Sequence, residues 1–170
     1  MKAIVYTKYG SPDVLQVKEV ENPIPKKDEV LIKVNAAEVT KADCEMRSFN
    51  FQVKWFWLPL RVVLGLIKPK RQILGGYFAG EVKSIGKGVS KFKKGDQVFG
   101  TTRLRLGAYG EYMCLPDSYT LVPKPHNVSF EEAATRAAQI GYDLKLPGEM
   151  AFYSWPSRGN VKDYPRDEAS

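Results

Sequence analysis

The fold of this chain is decided by the stretch Gly107-Ala108-Tyr109-Gly110-Glu111-Tyr112, which follows closely on Lys94-Gly95-Asp96-Gln97-Val98-Phe99-Gly100. In both stretches, glycines adjoin short apolar runs that have the length of strands. Glycine permits a positive φ angle or a close approach of two backbones, and the corners of a small β-barrel need such positions. The two stretches therefore predict short strands joined by tight turns.

The same pattern continues towards the N-terminus and as far as residue 122. The predicted strands cover residues 2–6, 14–20, 29–36, 78–85, 97–100, 111–115 and 119–122. A short helix is predicted over residues 40–47, with Thr40 as its N-cap and Asp43 in its first turn. Short strands at this spacing are typical of a barrel or a sandwich, so we predict a mainly β fold.

The pattern changes at Ser129, where helical spacing replaces the strands. Ser129 and Glu132 form a capping-box sequence, and Val128 and Ala133 occupy the positions of a hydrophobic staple. Apolar residues then recur at helical spacing, which predicts a helix to about Lys145. One extra strand is predicted over residues 150–155, and the polar sequence from Arg158 onward predicts a loose tail.

Composition limits the class of protein. The apolar fraction of 44% is sufficient for a packed core, and Cys44 and Cys114 are too few and too far apart for a disulfide framework. A reducing compartment is the simpler interpretation. The alternating strand at the N-terminus does not have the pattern of a signal peptide, so we expect none and expect a cytoplasmic protein. The net charge is +7, but the lysines and arginines are scattered, with clusters only at residues 26–27, 68–71 and 91–94. This distribution favours a solvated basic surface over a nucleic-acid site.

The segment at residues 55–67 departs from the barrel pattern because it is strongly apolar. It is too short to span a bilayer. Its basic end, residues 68–71, would suit an interfacial helix on a membrane surface. A loop that covers an apolar pocket is the interpretation we favour.

Residues 1 to about 134 resemble the N-terminal GroES-like domain of the medium-chain dehydrogenase/reductase superfamily, in its zinc-free quinone oxidoreductase branch. The motifs that carry this resemblance, in chain order, are Met1-Lys2-Ala3-Ile4-Val5, Val39-Thr40-Lys41-Ala42-Asp43, residues 75–80, Gly95-Asp96-Gln97-Val98, residues 107–112 and Pro123-Lys124-Pro125. The resemblance implies a GroES-like, partly open barrel over residues 1–134. Residues 135–170 would then form a helix, strand and tail appendage.

The resemblance also bears on metals and cofactors. Zinc-dependent members have cysteine where this chain has Thr40, and a His-Glu pair where it has Gly76 and Tyr77. Zinc needs about four thiolate, imidazole or carboxylate ligands, and His126 is the only imidazole in the sequence. We therefore predict no zinc site. NADPH is expected for the full-length family.

Four residues map to the pocket side of the resembled domain: Thr40, Asp43, Arg47 and Tyr77. The zinc-free branch often has asparagine in place of Thr40 and aspartate in place of Tyr77. A structural role is an open alternative, in which Thr40 caps the short helix and Asp43 satisfies backbone amides.

Beyond Ala134 the resemblance to the reductases stops. No G-x-G-x-x-G turn follows, so we expect no complete Rossmann domain and no tight cofactor binding by this chain. Residues 136–170 resemble a fragment of a bacterial α/β-hydrolase family through Ser154-Trp155-Pro156-Ser157. A nucleophile elbow G-x-S-x-G is missing, so Ser157 is not predicted to be a nucleophile.

Two functions are compatible with the sequence. The first is a truncated or fused relative of a zinc-independent, NADPH-dependent quinone or enone reductase, inactive alone, whose complete form would take a small apolar carbonyl substrate. The second is a non-catalytic module that self-associates through uncovered barrel surface or the edge of the C-terminal strand.

Overall fold

Antiparallel strands make up most of the computed structural model, which describes residues 1–51, 57–143 and 152–153. The strands within this part of the chain are β1 (Lys2–Tyr6), β2 (Leu15–Glu19), β3 (Glu29–Thr40), β4 (Tyr77–Ile85), β5 (Gln97–Thr101), β6 (Tyr112–Pro116), β7 (Leu121–Pro123) and β8 (Phe152–Tyr153). The helices are α1 (Lys41–Ser48), α2 (Trp57–Leu64) and α3 (Phe130–Asp143). The predicted mainly β architecture with a short helix and a C-terminal helix is confirmed.

The twelve-residue strand β3 organises the larger sheet. Its first half pairs with β6, almost its whole length pairs with β4, and its last two residues pair with β8. The strand order is β6-β3-β4-β5-β7, while β1 and β2 form a separate two-stranded sheet. Both sheets are open, as expected for a partly open GroES-like barrel.

β1 is joined to the sequence stretch that predicted the fold. Ala3 forms an isolated antiparallel bridge with Gly110, the amide of Ile4 donates to the carbonyl oxygen of Tyr109 at 2.9 Å, and the amide of Glu111 donates to the carbonyl oxygen of Lys2 at 3.0 Å. Gly107 has a φ of 111°. The predicted use of glycine for a positive φ is therefore confirmed at Gly107, whereas a Cβ atom at Gly110 would come no closer than 3.2 Å to another atom, the Cε of Met1.

Two apolar clusters lie on the two faces of the larger sheet. The completely buried side chains of one cluster belong to Val30, Ile32, Phe78, Val82, Val98 and Leu115. In the other cluster, alanines of α3 pack on residues of β4 and β5: Ala133, Ala134, Ala137 and Ala138 against Tyr77, Ala79 and Phe99. Methyl side chains allow the helix to lie close to the sheet. The domain boundary predicted near residue 134 falls within α3 and stays a prediction.

Close packing within the larger sheet requires a glycine in β4. Gly80 lies opposite Val34, next to an irregularity in the β3–β4 register. A Cβ atom at this position would lie 2.2 Å from the carbonyl oxygen of Lys33 and 2.9 Å from Cγ2 of Ile32. Only glycine fits without moving the backbone of β3.

Three sequence expectations differ from the structure. β3 runs to Thr40 rather than to residue 36. Residues 57–64 form helix α2, whereas a covering loop was the favoured prediction. At the start of α3, the amide of Glu132 donates to Oγ of Ser129 at 3.1 Å, but the Glu132 carboxylate pairs with Arg136.

The predicted helix end near Lys145, the tail from Arg158 and Ser157 lie outside the described residues. Of the strand predicted over residues 150–155, only β8 is described. No described helix has the length and apolar character needed to cross a membrane.

Candidate functional site

The carboxylate of Asp43 forms the centre of a buried polar cluster at the junction of β3, α1 and the turn before β4. Its Oδ2 atom accepts hydrogen bonds from the backbone amide of Thr40 at 3.0 Å and from the Thr40 hydroxyl at 2.7 Å. Its Oδ1 atom accepts from the amide of Gly75 at 3.1 Å. The Asp43 side chain thus holds β3, α1 and the turn before β4 together at this end of the barrel.

The local sequence produces this geometry through helix capping. Thr40 ends β3 in an extended conformation, with φ of −112° and ψ of 163°, and its hydroxyl accepts from the amide of Asp43. The reciprocal bonds complete a capping box in which aspartate takes the place of glutamate. α1 ends at Phe49, which adopts a left-handed conformation with φ of 54°. The structural roles that the sequence allowed for Thr40 and Asp43 are therefore present.

Three tyrosines surround the Asp43 carboxylate closely enough to respond to its charge. Burial raises the pKa of Tyr77 above its ordinary value, and the negative charge of Asp43 raises it further. Burial raises the pKa of Tyr109 far more strongly, with added contributions from the charge of Asp43 and a hydrogen bond to it. Burial, together with the neighbouring Tyr9 and Asp43, raises the pKa of Tyr6 to about 12. All three phenols stay protonated at neutral pH and remain hydrogen-bond donors.

Arg47 lies apart from this cluster. Its Nη1 atom donates to the carbonyl oxygen of Gly10, and the amide of Gly10 donates to the carbonyl oxygen of Arg47 at 3.0 Å. The side chain therefore fixes the turn after β1 against the end of α1. Of the four predicted site residues, the structure brings Thr40, Asp43 and Tyr77 together and places Arg47 at a separate contact.

Glu38 is a buried carboxyl group that the sequence analysis did not identify. Its Oε2 atom accepts from the hydroxyl of Thr135 in α3 at 3.1 Å, while Oε1 is buried and has no hydrogen-bond partner among the residues that the structure describes. Burial raises the pKa of Glu38, and the bond from Thr135 opposes this shift. The only sequence signal was a charged residue in a run that otherwise suits a strand.

An open cleft of about 400 Å³ lies between β1, β2 and the second half of β3. Its walls include the apolar side chains of Ile4, Val17, Val34 and Val39, and Tyr109 lines it with a half-buried ring. The Tyr109 hydroxyl lies 3.3 Å from the carbonyl oxygen of Glu38. The cleft therefore combines apolar walls with one phenol donor, a composition common in sites for small apolar ligands.

A zinc ion and a dinucleotide each require a particular arrangement of protein groups. No group of three or more His, Cys, Asp or Glu converges within residues 1–51, 57–143 and 152–153, and the absence of zinc stays a prediction. A dinucleotide site of the Rossmann type forms at the carboxyl ends of parallel strands. Every strand pairing in the described part of the chain is antiparallel, so these residues do not form such a crevice.

Comparison with known families gives two matches. The family described as the alcohol dehydrogenase GroES-like domain matches residues 26–126, which include β3, the Asp43 cluster and Tyr109. A family described as an alpha/beta hydrolase of unknown function matches residues 121–170. Of this second region, the structure describes β7, α3 and β8, and α3 packs on the sheet of the first region.

Individual relatives agree with the first match. Quinone oxidoreductase from Sus scrofa is 36% identical over 135 residues, which cover 79% of this chain and 36% of that protein. The 2-methylene-furan-3-one reductase of Solanum lycopersicum is 34% identical over 142 residues, covering 79% of this chain and 33% of that protein. The chain thus spans about a third of the length of these curated relatives.

Solved structures show the same relationship. Quinone oxidoreductase from Coxiella burnetii superposes with a TM-score of 0.67 at 31% identity, over 79% of this chain and 40% of that one. The Escherichia coli quinone oxidoreductase, solved in complex with NADPH, gives a TM-score of 0.66 at 25% identity, over 85% of this chain and 40% of that one. The chain therefore belongs to the alcohol dehydrogenase GroES-like domain family and resembles the N-terminal domain of quinone oxidoreductases.

Proposed function

We propose that this chain is the substrate-side domain of a zinc-independent, NADPH-dependent quinone or enone reductase, and that these 170 residues alone do not turn over NADPH. The observation that carries this proposal is the apolar cleft lined by Tyr109, next to the Asp43 cluster. Relatives that share this region include quinone oxidoreductases and an NADPH-dependent alkenal/one oxidoreductase.

The cleft suits a small, apolar carbonyl compound. Its aliphatic walls would bury the carbon skeleton. The single phenol proton of Tyr109, which in the free chain is directed at the carbonyl oxygen of Glu38, would turn to donate a hydrogen bond to the carbonyl oxygen of the substrate. Such a bond polarises the carbonyl group in the direction needed for reduction. NADPH, when bound to the complete family enzymes, supplies the hydride.

Thr40, Asp43 and Tyr77 are proposed as positioning residues for this cleft. Thr40, Asp43 and Tyr77 are almost fully buried, so they act on Tyr109 and the backbone around it. The Asp43 carboxylate accepts from the Gly75 amide, and, in addition to burial, its negative charge raises the pKa of the Tyr109 phenol. Arg47 is proposed to act indirectly, by holding the turn at Gly10 against the end of α1.

NADPH binding is proposed to need a part of the protein that lies outside the described residues. Those residues supply only antiparallel pairing, whereas the pyrophosphate of a dinucleotide binds at a glycine-rich turn between a parallel strand and a helix.

Ligand binding to the purified chain tests the proposal without requiring turnover. A saturated cyclic ketone is the appropriate probe, because a quinone would react with the exposed thiol of Cys44. Titration followed by NMR should show saturable shifts of residues in the cleft. Tyr109→Phe should weaken binding about two- to tenfold, the effect of one neutral hydrogen bond. Tyr112→Phe is the matched control, since Tyr112 does not line the cleft.

Two results would contradict the proposal. One is shifts that map away from the cleft, or equal affinity in Tyr109→Phe and the parent chain. The other is saturable NADPH binding at micromolar concentration or measurable NADPH oxidation by the chain alone, which would refute the cofactor part only.

A second function, self-association, is favoured by one specific observation. All five residues of β2 are exposed, including Val17 at 73%, and among the described strands β2 pairs only with β1. An exposed strand with an open edge can pair with a second copy. Light scattering after size exclusion tests this function: dimers abolished by Val17→Lys would support it, and a monomer at all concentrations would exclude it.

A further inference from the structure

Around α2, basic residues occur without acidic ones, so much of the net positive charge of the chain falls in this interval. Between Glu45 and Glu81 the sequence contains no acidic residue, but it contains six lysines and arginines. Over the same interval lies the apolar segment that the sequence analysis singled out. Apolar side chains combined with cations and no carboxylates form a surface for which an anionic partner is complementary.

Four apolar side chains project from the end of α2 and the turn after it. These residues, which we call the apolar knob, are Val62, Val63, Leu66 and Ile67. Each is more than half exposed, and Ile67 is 89% exposed. Single exposed apolar residues are ordinary, but neighbouring ones indicate a surface that contacts something else.

The backbone that carries the apolar knob is held by specific bonds. The hydroxyl of Tyr9 donates to the carbonyl oxygens of Leu64 and Gly65 at 3.0 Å each. Nε of Arg61 donates to the carbonyl oxygen of Leu66 at 2.8 Å, and Nζ of Lys70 donates to that of Val62 at 2.9 Å. Side chains of the protein thus supply hydrogen bonds to the carbonyl groups at the end of α2 and after it. The backbone is held in this way while the apolar side chains remain in contact with solvent.

Arg61 adds to this arrangement by directing its charge inward. Its guanidinium carbon lies 4.3 Å from the ring centre of Tyr9 and 4.2 Å from that of Phe49. Both distances are within the range of cation–π interaction. The cation that would otherwise interrupt the exposed apolar surface therefore faces the body of the domain.

Cations border the apolar knob on its C-terminal side. Lys68, Lys70 and Arg71 are exposed, and Lys70 and Arg71 also line a cleft of about 340 Å³ together with Arg105. Glu29 neutralises Arg105 through an ion pair of 2.6 Å, whereas no carboxylate of the described residues pairs with Lys70 or Arg71, which therefore supply the net charge of the cleft. The cleft therefore offers a phosphate group a cationic site, next to the apolar surface of the knob.

We propose that the apolar knob and the adjacent cations form a binding surface for a membrane that contains anionic lipids. Ile67 and its apolar neighbours would enter the interface between headgroups and acyl chains, while Lys68 and Arg71 would contact lipid phosphates. The protein would lie on the membrane without crossing it. This inference does not depend on the proposed reductase function.

Co-sedimentation with lipid vesicles tests the proposal on the complete chain. Vesicles of phosphatidylcholine with about 30% phosphatidylserine should retain the protein, and retention should fall as salt rises or when phosphatidylserine is omitted. Ile67→Ser should lower the partition coefficient about tenfold because one large apolar side chain is lost from the interface. Ile24→Ser is the matched control, since Ile24 is 85% exposed but lies between β2 and β3.

A second pair of variants separates location from total charge. Lys68→Gln with Arg71→Gln should lower the partition coefficient about 30-fold, roughly fivefold for each cation. Lys91→Gln with Lys94→Gln removes the same charge from an exposed turn elsewhere and should change retention far less.

Three results would overturn the proposal. The first is absence of retention on anionic vesicles at low salt. The second is equal loss of retention in the variants and their matched controls, which would indicate non-specific attraction. The third is a change in oligomeric state with Ile67→Ser while vesicle retention stays the same, which would identify the apolar knob as a contact between protein chains.

Discussion

Replacing Asp43 by asparagine tests whether its carboxylate holds β3, α1 and the turn before β4 together. The change leaves the shape of the side chain almost the same. It removes the negative charge and replaces one accepting oxygen by an amino group that can only donate. Because Thr40 and Gly75 present three donors to this side chain, asparagine cannot accept from all of them.

The expected loss of stability follows from these contacts. One asparagine oxygen can retain the bond from the Gly75 amide, and the Thr40 hydroxyl can rotate to accept from the new amino group. The buried amide of Thr40 then has no acceptor. Loss of a hydrogen bond to a charged group costs about 1.5–3 kcal/mol, and a buried donor without a partner costs a similar amount. We expect the free energy of unfolding to fall by about 3–5 kcal/mol, a large part of the typical total.

Equilibrium unfolding in urea measures this change. Asp13→Asn is the matched control, because it removes the same charge from an exposed side chain and should alter the free energy of unfolding by less than about 0.5 kcal/mol. If Asp43→Asn lowers the free energy of unfolding by under about 1 kcal/mol, the carboxylate does not hold these elements. Loss of the Asp43 charge should also lower the pKa of Tyr77, which an ultraviolet titration of the tyrosines would detect.

Three other substitutions give distinct outcomes. Gly80→Ala should lower the free energy of unfolding in urea by about 3 kcal/mol, because its Cβ atom would overlap the Lys33 carbonyl oxygen. The control is Gly76→Ala, whose Cβ atom would meet no atom within 4 Å. Equal losses in the two variants would argue against the overlap. The pKa of Tyr6 is about 12, so the stability that its protonated form gives is complete below pH 10 and is lost as the pH rises towards 12. Between pH 10 and 12, the free energy of unfolding should therefore fall by about 3 kcal/mol less in Tyr6→Phe than in the parent chain. Parallel curves of stability against pH would refute this. Ser129→Ala should cost about 1 kcal/mol through the lost cap of α3; an unchanged midpoint of thermal unfolding would show that the cap is not needed.

Local patterns predicted the strands and the first helix well, because their determinants are close together in sequence. Thr40 and Asp43 are three residues apart, and their capping box follows from helix geometry alone. Gly107 marks a turn with a positive φ angle, a conformation that residues with a Cβ atom rarely adopt. For these elements, the neighbours in sequence are also the neighbours that decide the structure.

Residues whose partners are distant were not predictable in this way. Glu38 and Thr40 break the apolar pattern of β3, so the strand was expected to end earlier, but Thr135 lies 97 positions from Glu38 and stabilises its carboxyl group. A proline inside a helix ordinarily interrupts it, yet α2 contains Pro59. It is the third residue of the helix, where the amide has no intrahelical acceptor, so proline costs little there.

The bridge between Ala3 and Gly110 has a consequence for how this protein forms during translation. β1 leaves the ribosome first and can pair with β2 early. Its backbone bonds to residues 109–111, however, can form only after more than a hundred further residues have been made. β3, β4 and β5 are consecutive in the larger sheet and can pair earlier. The N-terminal strand therefore docks late, and until then the nascent chain exposes its apolar residues to chaperones and to other nascent chains.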